Sequence, residues 1–375
     1  MKIKVLYIME GSSFGGGSRA FLQLVKGMNK ELFDPSFACL SGGQLHQHLT
    51  RAGIRHYPLD FIRLISPKIF WDLWKIFKKE QPHIVHNQGT RVEFYSRITA
   101  RLTKIPVIFS TAAMYIDDFD IGCIKKAVYS CMDWISRKYA HHFIVVSEAG
   151  KQKLINMYHI RPEKISVIYN GIEPEIYNPE RYDAAALKHK LGIPPDALVI
   201  GSAGRLCYQK AFHVFIESAA QVLASYPNIQ FLLVGDGPLK KDLEQLAHKS
   251  GIDKNIIFTG FRNDIPEMLA CMDIFVLSSI LEGNPIILLE AMAMAKPMVV
   301  TEIDGVKEVV ENHKSAYVVN PGNPQAMADC IKDLIKDKHK AKNMGLRSQQ
   351  EAKAKYDIKQ AIKFHEKLYR DSIHK

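Results

Sequence analysis

The 375-residue chain has no run of about 18 consecutive apolar residues, which excludes a membrane-spanning helix. Its N-terminal stretch, MKIKVLYIMEGSSFGGG, breaks on glycine after a short apolar run and shows no small-residue cleavage site, so no signal peptide is expected. Cysteine is sparse. The six residues, at 39, 123, 131, 207, 271 and 330, form no C-x-x-C pair, and none lies near a histidine at zinc spacing. They read as reduced thiols, as in a cytoplasmic protein. Internal repeats and low-complexity segments are also missing. What is present is globular: 47% apolar and 24% charged residues, in a length that predicts two domains.

The charge is positive and uneven. Of the formal +11, residues 1–175 carry 24 Lys and Arg against 15 Asp and Glu, and residues 51–104 hold 11 basic and 4 acidic groups. A basic half suits an anionic partner such as a membrane surface, a phosphorylated lipid or nucleic acid, or else ordinary solubility. No aromatic-interleaved basic motif of a nucleic-acid module accompanies it, so nucleic acid is not expected.

Two alternating β/α series are visible. Strands are expected at 4–9, 36–41, 83–87, 107–111 and 142–147, then at 198–203, 229–235, 256–260, 274–279, 297–301 and 316–320. Strands apolar on both sides and separated by helices imply parallel sheets, and two series imply two doubly wound domains. The turn-rich stretch Tyr169–Pro174 joins them. Ligands of such sheets bind beyond the C-terminal ends of the strands, so the informative motifs are those just after strands.

Three such motifs stand out. Gly15-Gly16-Gly17-Ser18 follows the first strand and precedes a helical pattern, the arrangement in which backbone N–H groups meet a diphosphate. A dinucleotide site would need an acid after the second strand, where Cys39-Leu40-Ser41-Gly42-Gly43 offers none, so NAD is disfavoured and a structural turn is the other reading. Arg205 and Lys210 follow strand 198–203 and both reach toward one anion, unless they are simply solvated cations. The segment from Glu282 through Gly283, Asn284, Pro285, Ile286 and Ile287 to Glu290 follows strand 274–279. Asn284 is expected to cap a helix that has Pro285 at its first position. That leaves Glu282 in the loop and Glu290 on an apolar helix, with the N–H groups near Asn284–Ile287 facing an anion. A buried Glu290 needs a partner: a pair of ribose hydroxyls, or Lys296 in a structural ion pair.

Glu282 to Glu290 resembles the Glu-x7-Glu motif of family 4 retaining glycosyltransferases (glycosyl transferases group 1). The ordered segments GSAGRLCYQKAF, LLVGDGPL, FTGFRNDIPEML, SVIYNGIE and FGGGSRAFLQL resemble the same family, and together they cover nearly the whole chain. The resemblance implies the GT-B fold: two facing Rossmann-like doubly wound α/β domains with a cleft between them. It divides the chain into an acceptor-side domain at 1–172, a nucleotide-sugar domain at 173–357, and a C-terminal helix at 358–375 that crosses back. Closure about the Tyr169–Pro174 linker would assemble the site.

The same resemblance implies roles. Arg205 and Lys210 neutralise the donor diphosphate. Gly16 and Gly17 approach it from the other domain. Gly283, Asn284, Ile286 and Ile287 line it, Glu290 holds the ribose hydroxyls, and Glu282 faces the transferred sugar. Arg262 lies near the base. The chemistry agrees with these roles, because fixed cations and dipoles aimed at a departing diphosphate lower the barrier. The implied activity is retaining transfer from a nucleotide-diphosphate sugar, UDP favoured, to a glycan or lipid-linked acceptor in cell-surface polysaccharide or glycolipid synthesis. No metal and no further cofactor are expected. A non-catalytic nucleotide-sugar-binding scaffold is the alternative.

The chain departs from the family pattern at Ala211, Ala295 and Asp304, where glycine is usual, and at Ala112, where a histidine near the acceptor is common. His86 stands where two histidines are frequent, and reads either as an acceptor contact or as a structural histidine. Asp117-Asp118-Phe119-Asp120 contains an Asp-x-Asp that reads as an acidic loop rather than a metal site. Pro67–Lys79 is basic, aromatic and helical in period, fitting either an anionic membrane on the inner face of the cytoplasmic membrane or a sheet-packing helix with a solvated face.

Overall fold

A computed structural model describes residues 2–12, 14–61, 66–112, 116 and 121–373. The chain divides into two compact units, residues 1–170 with 358–375, and residues 171–357.

The first unit alternates β1 (Ile3–Met9), α1 (Gly16–Gly27), β2 (Phe33–Leu40), α2 (Gln44–Arg51), β3 (His56–Leu59), α3 (Pro67–Glu80), β4 (Ile84–Gln88), α4 (Thr90–Leu102), β5 (Val107–Ala112), α5 (Cys123–Arg137), β6 (His142–Val145), α6 (Glu148–Asn156) and β7 (Ile165–Val167). Its seven strands are parallel in the order β3-β2-β1-β4-β5-β6-β7. In β1, Val5 and Tyr7 enter one hydrophobic cluster while Leu6 and Ile8 enter another. A strand buried on both faces has no polar side, which is why it reads as a continuous apolar run.

The second unit runs α7 (Ala184–Lys190), β8 (Leu198–Ala203), α8 (Phe212–Leu223), β9 (Ile229–Val234), α9 (Lys240–Lys249), β10 (Ile256–Gly260), α10 (Ile265–Ala270), β11 (Ile274–Leu277), α11 (Ile286–Ala293), β12 (Met298–Thr301), α12 (Asp304–Lys307), β13 (Tyr317–Val319), α13 (Pro324–Lys336) and α14 (Lys338–Lys355). Its six parallel strands are ordered β10-β9-β8-β11-β12-β13. Each sheet reverses direction of growth at one point, between β1 and β4 and between β8 and β11, where open α/β sheets hold ligands.

The last helix, α15 (Ile358–Ile373), belongs to the first unit and packs on α1. Gly27 makes room for it: a Cβ there would stand 2.3 Å from Ile362 Cδ1. The chain enters and leaves the second unit at neighbouring points, since Ile172 N donates to Tyr356 O at 2.8 Å.

The strand expectations hold for the central strands and for both edges of the second sheet, and miss the edges of the first. The edge strands β3 and β7 are short, and β3 contains Pro58. Strand β2 begins at Phe33, three residues before the expected start, and runs through Pro35. Strand β6 stops at Val145, before the Ser147 cap of α6, and β11 stops at Leu277, where the chain turns into the Glu282 loop.

Candidate active site

In the second unit, the loops after β8 and β11 lie side by side at the switch point. Ile280 N donates to Gln209 O at 2.9 Å, and Ser278 Oγ donates to Lys210 O at 2.8 Å. These bonds hold Lys210 against the Glu282 loop. Lys210 Nζ forms an ion pair with Glu282 Oε1, which also accepts from Ser279 Oγ at 2.8 Å. Both side chains remain partly exposed, at 18% and 15%, so an incoming ligand reaches the pair. Arg205 is exposed and forms no ion pair among the described residues. The loop after β8 thus supplies one free cation and one that is paired to a carboxylate.

The glycines here are steric requirements. A Cβ on Gly305, at the start of α12, would stand 2.3 Å from the carbonyl oxygens of Glu282 and Gly283. Gly305 therefore sets how closely β12's following loop supports the Glu282 turn. Gly235, at φ +136°, faces Gly204 O, which a Cβ would meet at 1.9 Å. Ala211 and Ala295 occupy left-handed backbone, at φ +45° and +53°. This is the physical reason glycine suits both places, and each alanine bears strain there.

Helix α11 begins at Ile286, with Pro285 in the capping position and no side-chain cap. This corrects the expectation that Asn284 caps the helix and that Pro285 is its first residue: Asn284 lies one residue further out, buried in the loop. Gly283 and Ile287 are partly exposed, and Ile286 is buried. Glu290 has no exposed surface. Its Oε1 accepts from the hydroxyl of buried Tyr177 at 2.5 Å. Lys296 is not its partner. Lys296 Nζ donates instead to Ala270 O at 3.0 Å and Met272 O at 2.7 Å, and burial lowers its pKa to about 8. Tyr177 carried no signal in the sequence, because the contact spans 113 residues.

Arg262 binds Asp264 through two hydrogen bonds, Nε to Oδ1 at 2.8 Å and Nη2 to Oδ2. Burial alone would raise the Asp264 carboxyl, but these bonds and the Arg262 charge outweigh it and hold the pKa below the usual value. The guanidinium is thereby fixed beside the end of β10.

In the first unit, Gly15 caps α1, Gly16 is exposed, and a Cβ on Gly17 would stand 2.9 Å from Gln88 Oε1. His86 has no exposed surface. Its Nδ1 bonds the Tyr369 hydroxyl at 2.5 Å and its Nε2 bonds Thr111 Oγ1 at 2.6 Å. Burial and the nearby His365 keep its pKa well below the ordinary histidine value. With both nitrogens engaged in the core, His86 is a structural histidine in this conformation, and the acceptor-contact reading does not fit its position. The Asp117–Asp120 segment lies outside the described residues. Among the described residues no group of three or more His, Cys, Asp and Glu is placed to hold a metal.

A profile described as glycosyl transferases group 1 matches residues 183–351, and one described as glycosyltransferase family 4 matches residues 14–176. The chain is 29% identical over 345 residues to the UDP-Gal:alpha-D-GlcNAc-diphosphoundecaprenol alpha-1,3-galactosyltransferase of Escherichia coli, covering 90% of this chain and 89% of that one. It is 27% identical over 356 residues to the N,N'-diacetylbacillosaminyl-diphospho-undecaprenol alpha-1,3-N-acetylgalactosaminyltransferase of Campylobacter jejuni, covering 91% and 92%. The crystal structure of Anabaena HepE in complex with UDP and glucose superposes with a TM-score of 0.87 at 21% identity, covering 98% of this chain and all of that one. Two Rossmann-like units, each matched by its own profile, make this chain a glycosyltransferase of family 4 with the GT-B fold.

Proposed function

We propose that the protein transfers a sugar, with retention of anomeric configuration, from a UDP-sugar to a lipid-linked or polysaccharide acceptor, without a metal. The observation that carries this reading is the Lys210–Glu282 pair beside the exposed Arg205 at the end of β8. When the glycosidic bond to the diphosphate breaks, negative charge grows on the leaving phosphate and positive charge on the sugar ring. Lys210 and Arg205 meet the first, and the Glu282 carboxylate, oriented by Ser279, meets the second. The free N–H groups at the start of α11 add to the positive field on the diphosphate. Glu290 holds the ribose hydroxyls, which replace or join the Tyr177 hydroxyl. Relatives named for UDP-galactose and for undecaprenol-diphosphate acceptors support the donor and acceptor classes. The test incubates the protein with UDP-galactose, UDP-glucose, UDP-N-acetylglucosamine or UDP-N-acetylgalactosamine and N-acetylglucosaminyl-diphospho-lipid, with and without EDTA. One α-linked product by NMR, unchanged by EDTA, is expected. A β-linked product removes the retaining assignment. Tight UDP binding with no transfer or donor hydrolysis favours the scaffold alternative.

We further propose that the first unit rests on an anionic membrane through α3. Its Ile69, Leu73, Ile76 and Phe77 are buried against the sheet. Trp71 and Trp74, 54% and 39% exposed, stack at 5.0 Å, with Lys75 and Lys78 lying over them at 5.3 and 5.9 Å. Aromatic rings flanked by lysine suit the headgroup layer of anionic lipid. Cosedimentation with phosphatidylglycerol vesicles, weakened by salt and by Lys75→Glu with Lys78→Glu, is the expected result. Equal binding by the double variant refutes it.

A further inference from the structure

One buried hydroxyl supports the Lys210–Glu282 pair without bonding to either member. The backbone ladder between β11 and β12 ends at Leu277 and Val300. One residue further along β12, Thr301 still pairs with Val319 of β13, while its side chain bonds to the chain leaving β11. Thr301 Oγ1 donates to Ser279 O, and Leu277 O stands 3.3 Å away. A hydroxyl carries one proton, so the nearer carbonyl, that of Ser279, takes it. Thr301, Ser278 and Ser279 are all buried. Valine would fill the same space, and a buried hydroxyl is costly unless bonded, so the bond is what distinguishes threonine here.

The bond falls on a peptide group held from two sides. The carbonyl of Ser279 is held from β12 by Thr301, and the N–H of the same peptide, on Ile280, donates to Gln209 O at 2.9 Å in the loop after β8. On the near side of this peptide two adjacent serines divide. Ser278 Oγ donates to Lys210 O at 2.8 Å, and Ser279 Oγ donates to Glu282 Oε1 at 2.8 Å. Lys210 Nζ closes the ring on that same carboxylate oxygen. The main chain of Lys210 and the carboxylate of Glu282 therefore hang on neighbouring residues, and a shift of the Ser279–Ile280 peptide moves both.

We propose that Thr301 is a positioning residue of the donor site. Its grip on the Ser279–Ile280 peptide sets Ser278 and Ser279, and through them aims the Lys210 ammonium and the Glu282 carboxylate at a bound diphosphate and its sugar. The assignment of a diphosphate sugar rests on the transferase reading above, whereas the grip itself rests on the geometry of β11 and β12.

Binding of UDP, inorganic pyrophosphate and uridine to the full chain, by ligand-observed NMR and titration calorimetry, tests it. Thr301→Val keeps the shape and removes the donor. It should weaken UDP and pyrophosphate about tenfold, the factor expected for one hydrogen bond to a charged group, and leave uridine unchanged. Thr301→Ser restores the hydroxyl and should return both anions to within about twofold of wild type. At saturating UDP-sugar, kcat of Thr301→Val should fall about tenfold or more, because misplaced groups cost most in the transition state. Circular dichroism checks folding. If Thr301→Val does not fold, Thr301→Cys carries the same comparison, since a thiol is a weak donor. In a folded variant, anion binding that is unchanged, or that falls together with uridine binding, overturns the proposal, as does failure of Thr301→Ser to restore it. Pyrophosphate binding that follows the expected pattern, with no sugar transfer by the wild type, counts against the transferase reading and leaves Thr301 assigned. A wild type that binds neither anion removes both readings.

Discussion

The hydroxyl of Tyr177 donates to Glu290 Oε1 at 2.5 Å, joining the segment after the linker to the middle of α11. Both residues are buried, Tyr177 at 3% and Glu290 at 0% exposure. A carboxylate so placed depends on its donors, because burying charge without hydrogen bonds is costly. Tyr177→Phe is therefore expected to lower the unfolding free energy by about 1–3 kcal/mol in urea titrations. It should also raise KM for the UDP-sugar more than it lowers kcat. A stability change near zero would mean that the bond contributes nothing.

Removing charge from the Lys210–Glu282 pair should act on chemistry more than on folding, since both side chains are partly solvated. Glu282→Gln and Lys210→Met are each expected to reduce kcat by about a hundredfold or more, while changing the melting temperature by only a few degrees. Gly305→Ala should do both kinds of damage. Its Cβ would stand 2.3 Å from two carbonyl oxygens of the Glu282 loop, and a loss of about 1–3 kcal/mol of stability is expected with the loss of activity. Full activity in Gly305→Ala would show that the loop position is not critical.

The two alanines in left-handed backbone offer a gain of stability. Ala211→Gly and Ala295→Gly relieve strain at φ +45° and +53°. After allowance for the greater freedom of glycine in the unfolded chain, each is expected to stabilise by about 0.5–1 kcal/mol. Chemical denaturation of the single and double variants checks this, and the two sites should add.

Acid stability should be set by buried histidines. Burial lowers His365 from 6.5 to about 4, and burial with the His365 charge takes His86 well below 6.5. Their folded-state values lie below the unfolded one, so their contribution is present above pH 6.5 and is lost as pH falls toward 4. Glu93 opposes them. Burial, partly offset by Arg97, raises it from 4.5 to about 7, so its contribution is present below pH 4.5 and is lost as pH rises through 7. Each group has a limiting slope of about 1.4 kcal/mol per pH unit. Urea unfolding at pH 7.5, 6 and 5 should show stability falling with acid, more steeply in Glu93→Gln and less steeply in His365→Leu. The opposite order in the two variants would reverse the assignment.

Much of this protein was legible in its residues. The central strands announce themselves because both faces are buried, as the separate packing of Val5 and Tyr7 from Leu6 and Ile8 shows. The loops after β8 and β11 were legible because Arg205, Lys210 and Glu282 follow apolar runs at the ends where α/β sheets bind ligands. The edge strands β3 and β7 were not, since four or three residues with one neighbour carry too little pattern. The start of α11 was misjudged by one residue, because Asn-Pro satisfies the local capping rule in more than one register.

The sequence by itself determined the two β/α series, the family and the loops that carry charged groups, because these depend on periodicity and on short ordered motifs. Tertiary structure decided the partners. It joined Lys210 to Glu282 across 72 residues, gave Glu290 to Tyr177 rather than Lys296, enclosed His86 between Thr111 and Tyr369, and paired Arg97 of α4 with Asp133 of α5. Such pairings depend on where separate elements meet in space, and the distance along the chain between two residues does not encode that.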